Sequence, residues 1–265
     1  MTRIFTTIAS LGLLWLVFGF LYLPLVVVAV MSFNSSDSLL RWGGFTFDWY
    51  RVMFENEAIR NGLLLTLSVA VGATLLAGVL GTLLAFGIHK YTKGSLVRAL
   101  ATAPALLPDL LLGTGLLTLF GLLRWSMGIH SVLIGHAVFA IAFVTTLVLT
   151  RLASLDPSLE EASASLGAGG FRTFRKVTLP QALPGVLAGC ALAFSLSIDE
   201  FVIAYFTASP TSQTLPIYIY STVRFGVSPD INAMATVLLA VAVFTVIIAQ
   251  RFVLGGRSRK ATTNA

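Results

Sequence analysis

Three carboxylates stand where carboxylates are costly. Asp109, Asp199 and Glu200 lie within long apolar runs of the 265-residue chain. A charged group in a membrane-spanning helix is expensive and marks an ion or solute pathway by default. No Lys or Arg lies inside those runs to neutralise the three acids. Water, a cation from another chain, or a cationic solute in transit would keep them ionised. The pattern therefore fits a carboxylate-lined path for a polycation. A structural account stands beside it, with Asp109 capping a helix break after Pro108 and Asp199 and Glu200 in a solvated outer mouth. On continuous helices, Asp109 lies roughly 15 Å in from Ala99, near the midplane of a ~30 Å core, and Asp199 roughly 22 Å beyond Pro184. Helix neighbours point about 100° apart, which groups Asp199 with Ser195, Val202 and Phe206, and Glu200 with Leu196, Ser197 and Ala204. Tyr218 and Tyr220 follow in a segment that reads as an outer interfacial helix. Their rings either stack on ammonium groups or anchor at lipid headgroups.

Other chemistry has no foothold. The four lysines, Lys90, Lys93, Lys176 and Lys260, lie outside any glycine loop, so no G-x4-G-K-[ST] phosphate cradle exists. HExxH, GxSxG and paired-cysteine motifs are absent, and Cys190, the single cysteine, reads as a small buried residue. His89, His130 and His136 have no ligand partners in the pattern and read as interfacial or packing residues. The expectation is a chain that is not an enzyme and binds no metal or cofactor itself.

The elements that must position the acids are membrane helices. The chain is 57% hydrophobic and 11% charged, where soluble domains carry about 25% charged residues. Six runs are long enough to span: 9–32, 61–88, 101–123, 130–150, 183–206 and 233–253. The first is too long for the apolar part of a signal peptide and lacks its cleavage pattern, so it reads as a retained span. Segment 34–60, with Trp42, Trp49 and Tyr50, suits the membrane–water interface. The net charge of +6 lies in the loops, without the aromatic interleaving of a nucleic-acid surface. An inside N-terminus puts Arg3, Lys90, Lys93, Arg98, Arg151, Arg172, Arg175, Lys176, Arg251, Arg257, Arg259 and Lys260 inside. Only Arg41, Arg51, Arg60, Arg124 and Arg224 are left outside. Both termini are expected in the cytoplasm. Gly72, Gly78, Gly81, Gly113 and Gly115 would let helices approach closely. The tail 255–265 reads as disordered.

One inside loop is patterned as structure. Asp156 is a good N-cap, Pro157 a good first helical residue, and Gly167 a stop. Leu155, Leu159, Ala162 and Leu166 recur at helical spacing. A second short helix would carry Phe171 and Phe174 opposite Arg172, Arg175 and Lys176, with Pro180 and Pro184 breaking the chain before the next span. Glu161-Ala162-Ser163, Gly167, then Val177-x-Leu179-Pro180 resembles the EAA loop of ABC-importer permeases, E-A-A-x3-G-x9-I-x-L-P, with Ser163 and Val177 as departures. The resemblance implies an all-α membrane protein of about six transmembrane helices with type I importer permease (MetI-like) architecture. It also implies that this loop is the coupling helix seated on an ATP-hydrolysing subunit, with Glu161 and Ala162 in contact, Gly167 turning the chain, and Leu179 and Pro180 fixing the loop to the next span.

A narrower likeness covers nearly the whole chain. Ser32-Phe-Asn-Ser-Ser36, Leu107-Pro-Asp109, Ser195-Leu-Ser-Ile-Asp-Glu-Phe-Val-Ile203 and Leu215-Pro-Ile-Tyr-Ile-Tyr220 onward to Thr236 are similar to the second membrane subunit of bacterial spermidine/putrescine importers. That family implies a homologous permease partner, two ATPase subunits that bind ATP and Mg, a periplasmic binding protein, and an inner-membrane location. Its relatives carry opines or other small amines as well as polyamines. The expected organisation is a first helix with its outer segment over 1–60, a permease core over 61–253 and a tail over 254–265. Two rivals stand: a proton- or cation-coupled carrier, which needs no docking loop and commonly shows repeats, and a membrane scaffold, which leaves the acids unexplained.

Overall fold

The chain is described by a computed structural model over residues 2–36, 41–92, 94–225 and 229–244, with the side chains of 2–10 and 225 left aside. It is helical throughout these residues: α1 Thr2–Met31, α2 Asp48–Glu55, α3 Glu57–Tyr91, α4 Ser95–Thr102, α5 Asp109–Leu122 and α6 Ile129–Ala153. There follow α7 Ser158–Ser165, α8 Gly170–Thr173, α9 Leu179–Asp199, α10 Val202–Thr207 and α11 Leu215–Phe225, and α12 Pro229–Phe244. Two compact units divide it, the described parts of Met1–Arg60 with Ile219–Val243 and of Asn61–Tyr218 with Phe244–Ala265.

Among the described residues, four helical stretches are long and apolar enough to cross a membrane: Leu11–Met31, Glu57–Tyr91, Ile129–Ala153 and Gly170–Asp199. The expected third span is a bent pair, Ser95–Ala105 and Asp109–Leu122, meeting at 96°. Pro108 is the cause: it offers no N–H and biases Leu107 away from helix. Asp109 thus opens α5 and does not sit ten residues along a straight helix. Of the expected sixth span, α12 covers 233–244, and 245–253 lies outside the described residues, as does the tail. In the first unit α1 leaves apolar side chains such as Leu13, Trp15 and Phe20 exposed, as a helix facing lipid does.

The first unit also holds a folded loop between α1 and α2. Asn34 is buried and ties it together, its Nδ2 donating to the Arg41 carbonyl at 2.8 Å while its Oδ1 accepts the Gly43 N–H at 2.8 Å. Trp49 Nε1 donates to the Asn34 carbonyl at 2.6 Å. Phe33, Phe45, Phe47 and Tyr50 stack beside it with ring centroids 5.0–5.4 Å apart at the closest pairs. Of the aromatics expected at the interface over 34–60, Tyr50 joins this cluster, Trp49 is tied to Asn34, and Trp42 is exposed.

In the second unit α3, α6 and α9 share a core of small side chains: Ala77 and Ala85, Ala140, Val144 and Val148, Ala182 and Ala193. Val144 lies between two glycines. A Cβ on Gly81 would meet it at 2.9 Å, and one on Gly189 would meet its backbone at 3.2 Å. Gly72, Gly78 and Gly113 are likewise closed, against Leu133, Cys190 and Phe206, whereas Gly115 faces open space. Cys190 is half-buried against Gly78. Close approach is what holds helices together where lipid tails are as apolar as leucine. Gly81→Leu, forced into Val144 and the Ile141 carbonyl, is expected to cost roughly 1–3 kcal/mol. Gly115→Ala should be neutral, and thermal unfolding in detergent checks both.

Candidate functional site: a carboxylate cluster and a coupling loop

α9 ends at Asp199, and the next residue, Glu200, is extended at φ −66°, ψ 108°. The expected continuous helix 183–206 is therefore broken, and Asp199 shares no helical face with Val202 or Phe206. Residues after the break restart as α10, whose first turn needs acceptors for its free N–H groups. Glu200 supplies one: its Oε1 accepts the Ile203 N–H at 2.9 Å, and the side chain is only 8% exposed. Asp199, one residue earlier, is exposed.

Two ends of broken helices bring the three acids together. Both Asp109 and Asp199 lie within coulombic range of Glu200, although 90 residues of sequence separate the first from the pair. Asp109 is half-buried in the first turn of α5, where a negative charge is favoured by the helix dipole. Asp109 stands at the expected helix start but makes no side-chain cap there, and Glu200, expected with Asp199 in a solvated mouth, is buried and caps α10 while Asp199 is exposed. The described ion pairs are Arg51–Glu55 and Arg60–Glu57, on the surface and apart from the acids. Tyr218 and Tyr220 lie on α11, half-buried and exposed respectively.

The loop after α6 is built from its own hydrogen bonds. Asp156 Oδ1 accepts the Ser158 N–H at 3.0 Å, so it caps from one position before Pro157, which precedes the helix. Those Ser158 bonds hold the fully exposed Asp156 carboxyl below its usual range. The ionised form is the bonded one, so the cap is present at neutral pH and lost only as pH falls through that lowered value. At the far end Gly167 has φ +79°, the Gly167 N–H meets the Ala164 carbonyl at 2.9 Å, and the Ala168 N–H meets the Ser163 carbonyl at 3.1 Å. This is a Schellman ending, open to glycine at little cost.

Leu155 packs on the α3–α6–α9 core, but Leu159, Ala162 and Leu166 face outward, and Leu166 is 88% exposed. Phe171 and Glu161 are exposed too. The apolar stripe of α7 thus points away from its own chain, as a docking face does. The Ser163 hydroxyl lies 2.9 Å from the buried Thr173 hydroxyl, and Thr178 donates its hydroxyl proton to the Glu160 carboxylate. Sequence reading missed Glu160, Thr173 and Thr178, because bonds across ten and eighteen residues leave no local signal.

Downstream, the expected proline break is absent. α8, a π-helical turn over Phe174–Thr178 and α9 run on as Gly170–Asp199. Pro180 sits in the first turn of α9 and Pro184 inside it. The Leu179 N–H reaches back five residues to the Phe174 carbonyl, a wider register that re-pairs carbonyls next to residues lacking an N–H. Val177 is half-buried in that turn. Phe174 packs edge-on against Phe86 of α3 at 4.6 Å, and Arg151 Nε donates to the Gln181 carbonyl at 3.0 Å. The loop is clamped to three spans.

Broken spans gathering carboxylates, with a rigid loop presenting an apolar face, define a solute permease that takes its drive from a docked partner. Residues 76–255 match the family described as "Binding-protein-dependent transport system inner membrane component", and the chain belongs to that family. It is 36% identical over 241 residues to the spermidine/putrescine transport system permease protein PotC of Escherichia coli K12, covering 90% of this chain and 91% of that one. It is 37% identical over 238 residues to the putrescine transport system permease protein PotI of the same organism, covering 86% and 84%. A putative 2-aminoethylphosphonate transport system permease protein of Salmonella typhimurium is 29% identical over 88% of this chain and 89% of its own. The fold is shared with a bacterial ABC transporter involved in the import of alginate, at TM-score 0.73 and 18% identity, covering 94% of this chain and 96% of that one.

Glu200→Ala should lower the thermal midpoint by the equivalent of about 1 kcal/mol through loss of the cap on α10. Glu200→Gln, which keeps a carbonyl acceptor, should melt close to wild type. Equal losses in both would show that the cap contributes nothing.

Proposed function

We propose that this chain is one of two homologous membrane subunits of an ATP-driven importer and lines the path of a polyamine of the spermidine/putrescine class. The observation that carries the reading is the convergence of Asp109 and Asp199 on Glu200. A polyamine presents several protonated amines along a flexible chain, and spaced carboxylates match them. At ~4 Å and an effective dielectric near 20, each pairing contributes about 4 kcal/mol before desolvation. The permease relatives named for spermidine and putrescine support the same class. Tyr218, in the same unit as the acids, would add a ring face for an ammonium group.

In this reading a periplasmic binding protein delivers the solute to the outer loops. Two partner ATPase subunits bind ATP and Mg and close, and the chain itself has no ATP site and needs no cofactor. Both termini and α7 face the cytoplasm, where the ATPase is. The exposed Leu159, Leu166 and Phe171 beside Glu161 and Ala162 supply its docking face. Gly167, Val177, Leu179 and Pro180 carry that movement into α9. Ser163, where the family motif has alanine, stiffens the loop through Thr173. An outward docking face also favours this reading over a carrier that works unaided.

Uptake of radiolabelled spermidine and putrescine, in cells lacking their own polyamine importers and expressing the chain with its neighbouring operon products, tests the proposal. Asp199→Asn should raise the KM for uptake about 10-fold or more, the size of a lost charged contact, whereas Cys190→Ala should not. Gly167→Pro forces φ near −65° where the chain needs +79°, and should abolish uptake and ATPase association while membrane insertion persists. Uptake that survives Gly167→Pro would refute the coupling role. An assembled, ATP-hydrolysing complex that moves neither polyamine would point to another small amine.

A further inference from the structure

One stretch of α6 grips the chain on both sides of the break that separates Asp199 from α10. His136 Nδ1 lies 2.7 Å from the Ser197 hydroxyl, in the last turn of α9 and two residues before Asp199. One residue earlier, a Cβ on Gly135 would meet Ile203 of α10 at 2.8 Å. One turn before that, the Ser131 hydroxyl donates to the Thr207 carbonyl at 2.7 Å, at the end of α10. Ser131, His136, Ser197 and Thr207 are all buried. The extended residue, Glu200, thus lies between segments that one helix contacts at Ser197, Ile203 and Thr207.

His136 is the costly member of this grip. It is 2% exposed, and its Nε2 meets no hydrogen-bond partner among the described residues. A buried, unpaired polar atom costs about 1–3 kcal/mol, whereas an apolar side chain of similar shape would cost nothing of the kind. Packing alone therefore gives no reason for an imidazole here. The bond from its other nitrogen does offer one, because it ties the final α9 turn to α6. That turn leads directly into the exposed Asp199 and the buried Glu200.

We propose that His136 is a positioning residue for the solute path: through Ser197 it sets the last turn of α9 so that Asp199 is presented and Glu200 folds back onto α10, and it thereby tunes discrimination among cationic solutes. The proposal rests on the carboxylate-path reading above. His136 touches no solute in this scheme. Its effect reaches the path through Ser197, and Asn, whose amide reaches about as far as Nδ1, can replace it there.

The test uses the whole complex in proteoliposomes, with radiolabelled spermidine and putrescine and saturating ATP. His136→Leu should raise KM about 10-fold, change the spermidine-to-putrescine preference and alter Vmax far less, a split that marks lost solute positioning. The thermal midpoint should change little, since the orphan nitrogen is gone but the buried Ser197 hydroxyl loses its partner. His136→Asn should recover most of the KM. Ser197→Ala should reproduce His136→Leu, and the double variant should be no worse than either single. A normal KM and preference in His136→Leu, beside a raised KM in Asp199→Asn, would overturn the positioning role and leave the path reading intact. Unchanged KM in both would overturn both. If His136→Leu does not assemble, Ser197→Ala decides alone: a raised KM supports the proposal and an unchanged one ends it.

Discussion

Inside a bilayer every backbone N–H and carbonyl must be paired within the protein, and this constraint fixes where the chain can leave a helix. Each departure in the described spans comes with its own pairing. At the 96° bend, the Pro108 carbonyl accepts the Leu111 and Leu112 N–H groups as α5 begins. After α9, the Glu200 carboxylate accepts the Ile203 N–H. Upstream of Pro180 the register widens to a π turn. The first two breaks leave carboxylates beside the irregular backbone. At the second break the same residue, Glu200, both pairs the backbone and brings charge, whereas at the first Pro108 pairs the backbone and Asp109 brings the charge.

The proposed coupling requires further that a movement at α7 reach those breaks. α7 has no buried residue of its own, yet its loop is stiff, closed by Asp156 at one end and Gly167 at the other and cross-linked through Ser163–Thr173 and Glu160–Thr178. From it Gly170–Asp199 runs as one helical stretch, packed on Val144 and Arg151 of α6 through Gly189 and Gly185. A close-packed interface without large side chains to re-pack transmits a shift rather than absorbing it. The stretch connects the proposed docking face at one end with Asp199 at the other.

Much of this was legible in the residues. Apolar run lengths gave the helical membrane class and most of the spans, and the Gly167 stop was read correctly because a left-handed residue at a helix end calls for glycine. The misplaced features share a cause. Pro180 and Pro184 read as breakers, but a neighbouring π turn absorbed the first. Asp199 and Glu200 read as neighbours on one helix, because nothing local says that Glu200 turns back to cap the next one. Leu159 and Leu166 read as a helical stripe without a direction, since periodicity shows that a face exists and not what covers it.

Taken alone, the sequence determined what local chemistry can determine: spans, loop caps, the absence of a phosphate-cradling loop, and the acids that the bilayer makes expensive. The tertiary structure decided which of these meet. Asp109 joins Asp199 and Glu200 only because two helices break and their ends converge. His136 finds Ser197 across 61 residues, so a histidine that the sequence offered as packing turns out to hold the α9 end. Such contacts depend on the packing of α6 against α9 and α10, and no period or spacing along the chain encodes them.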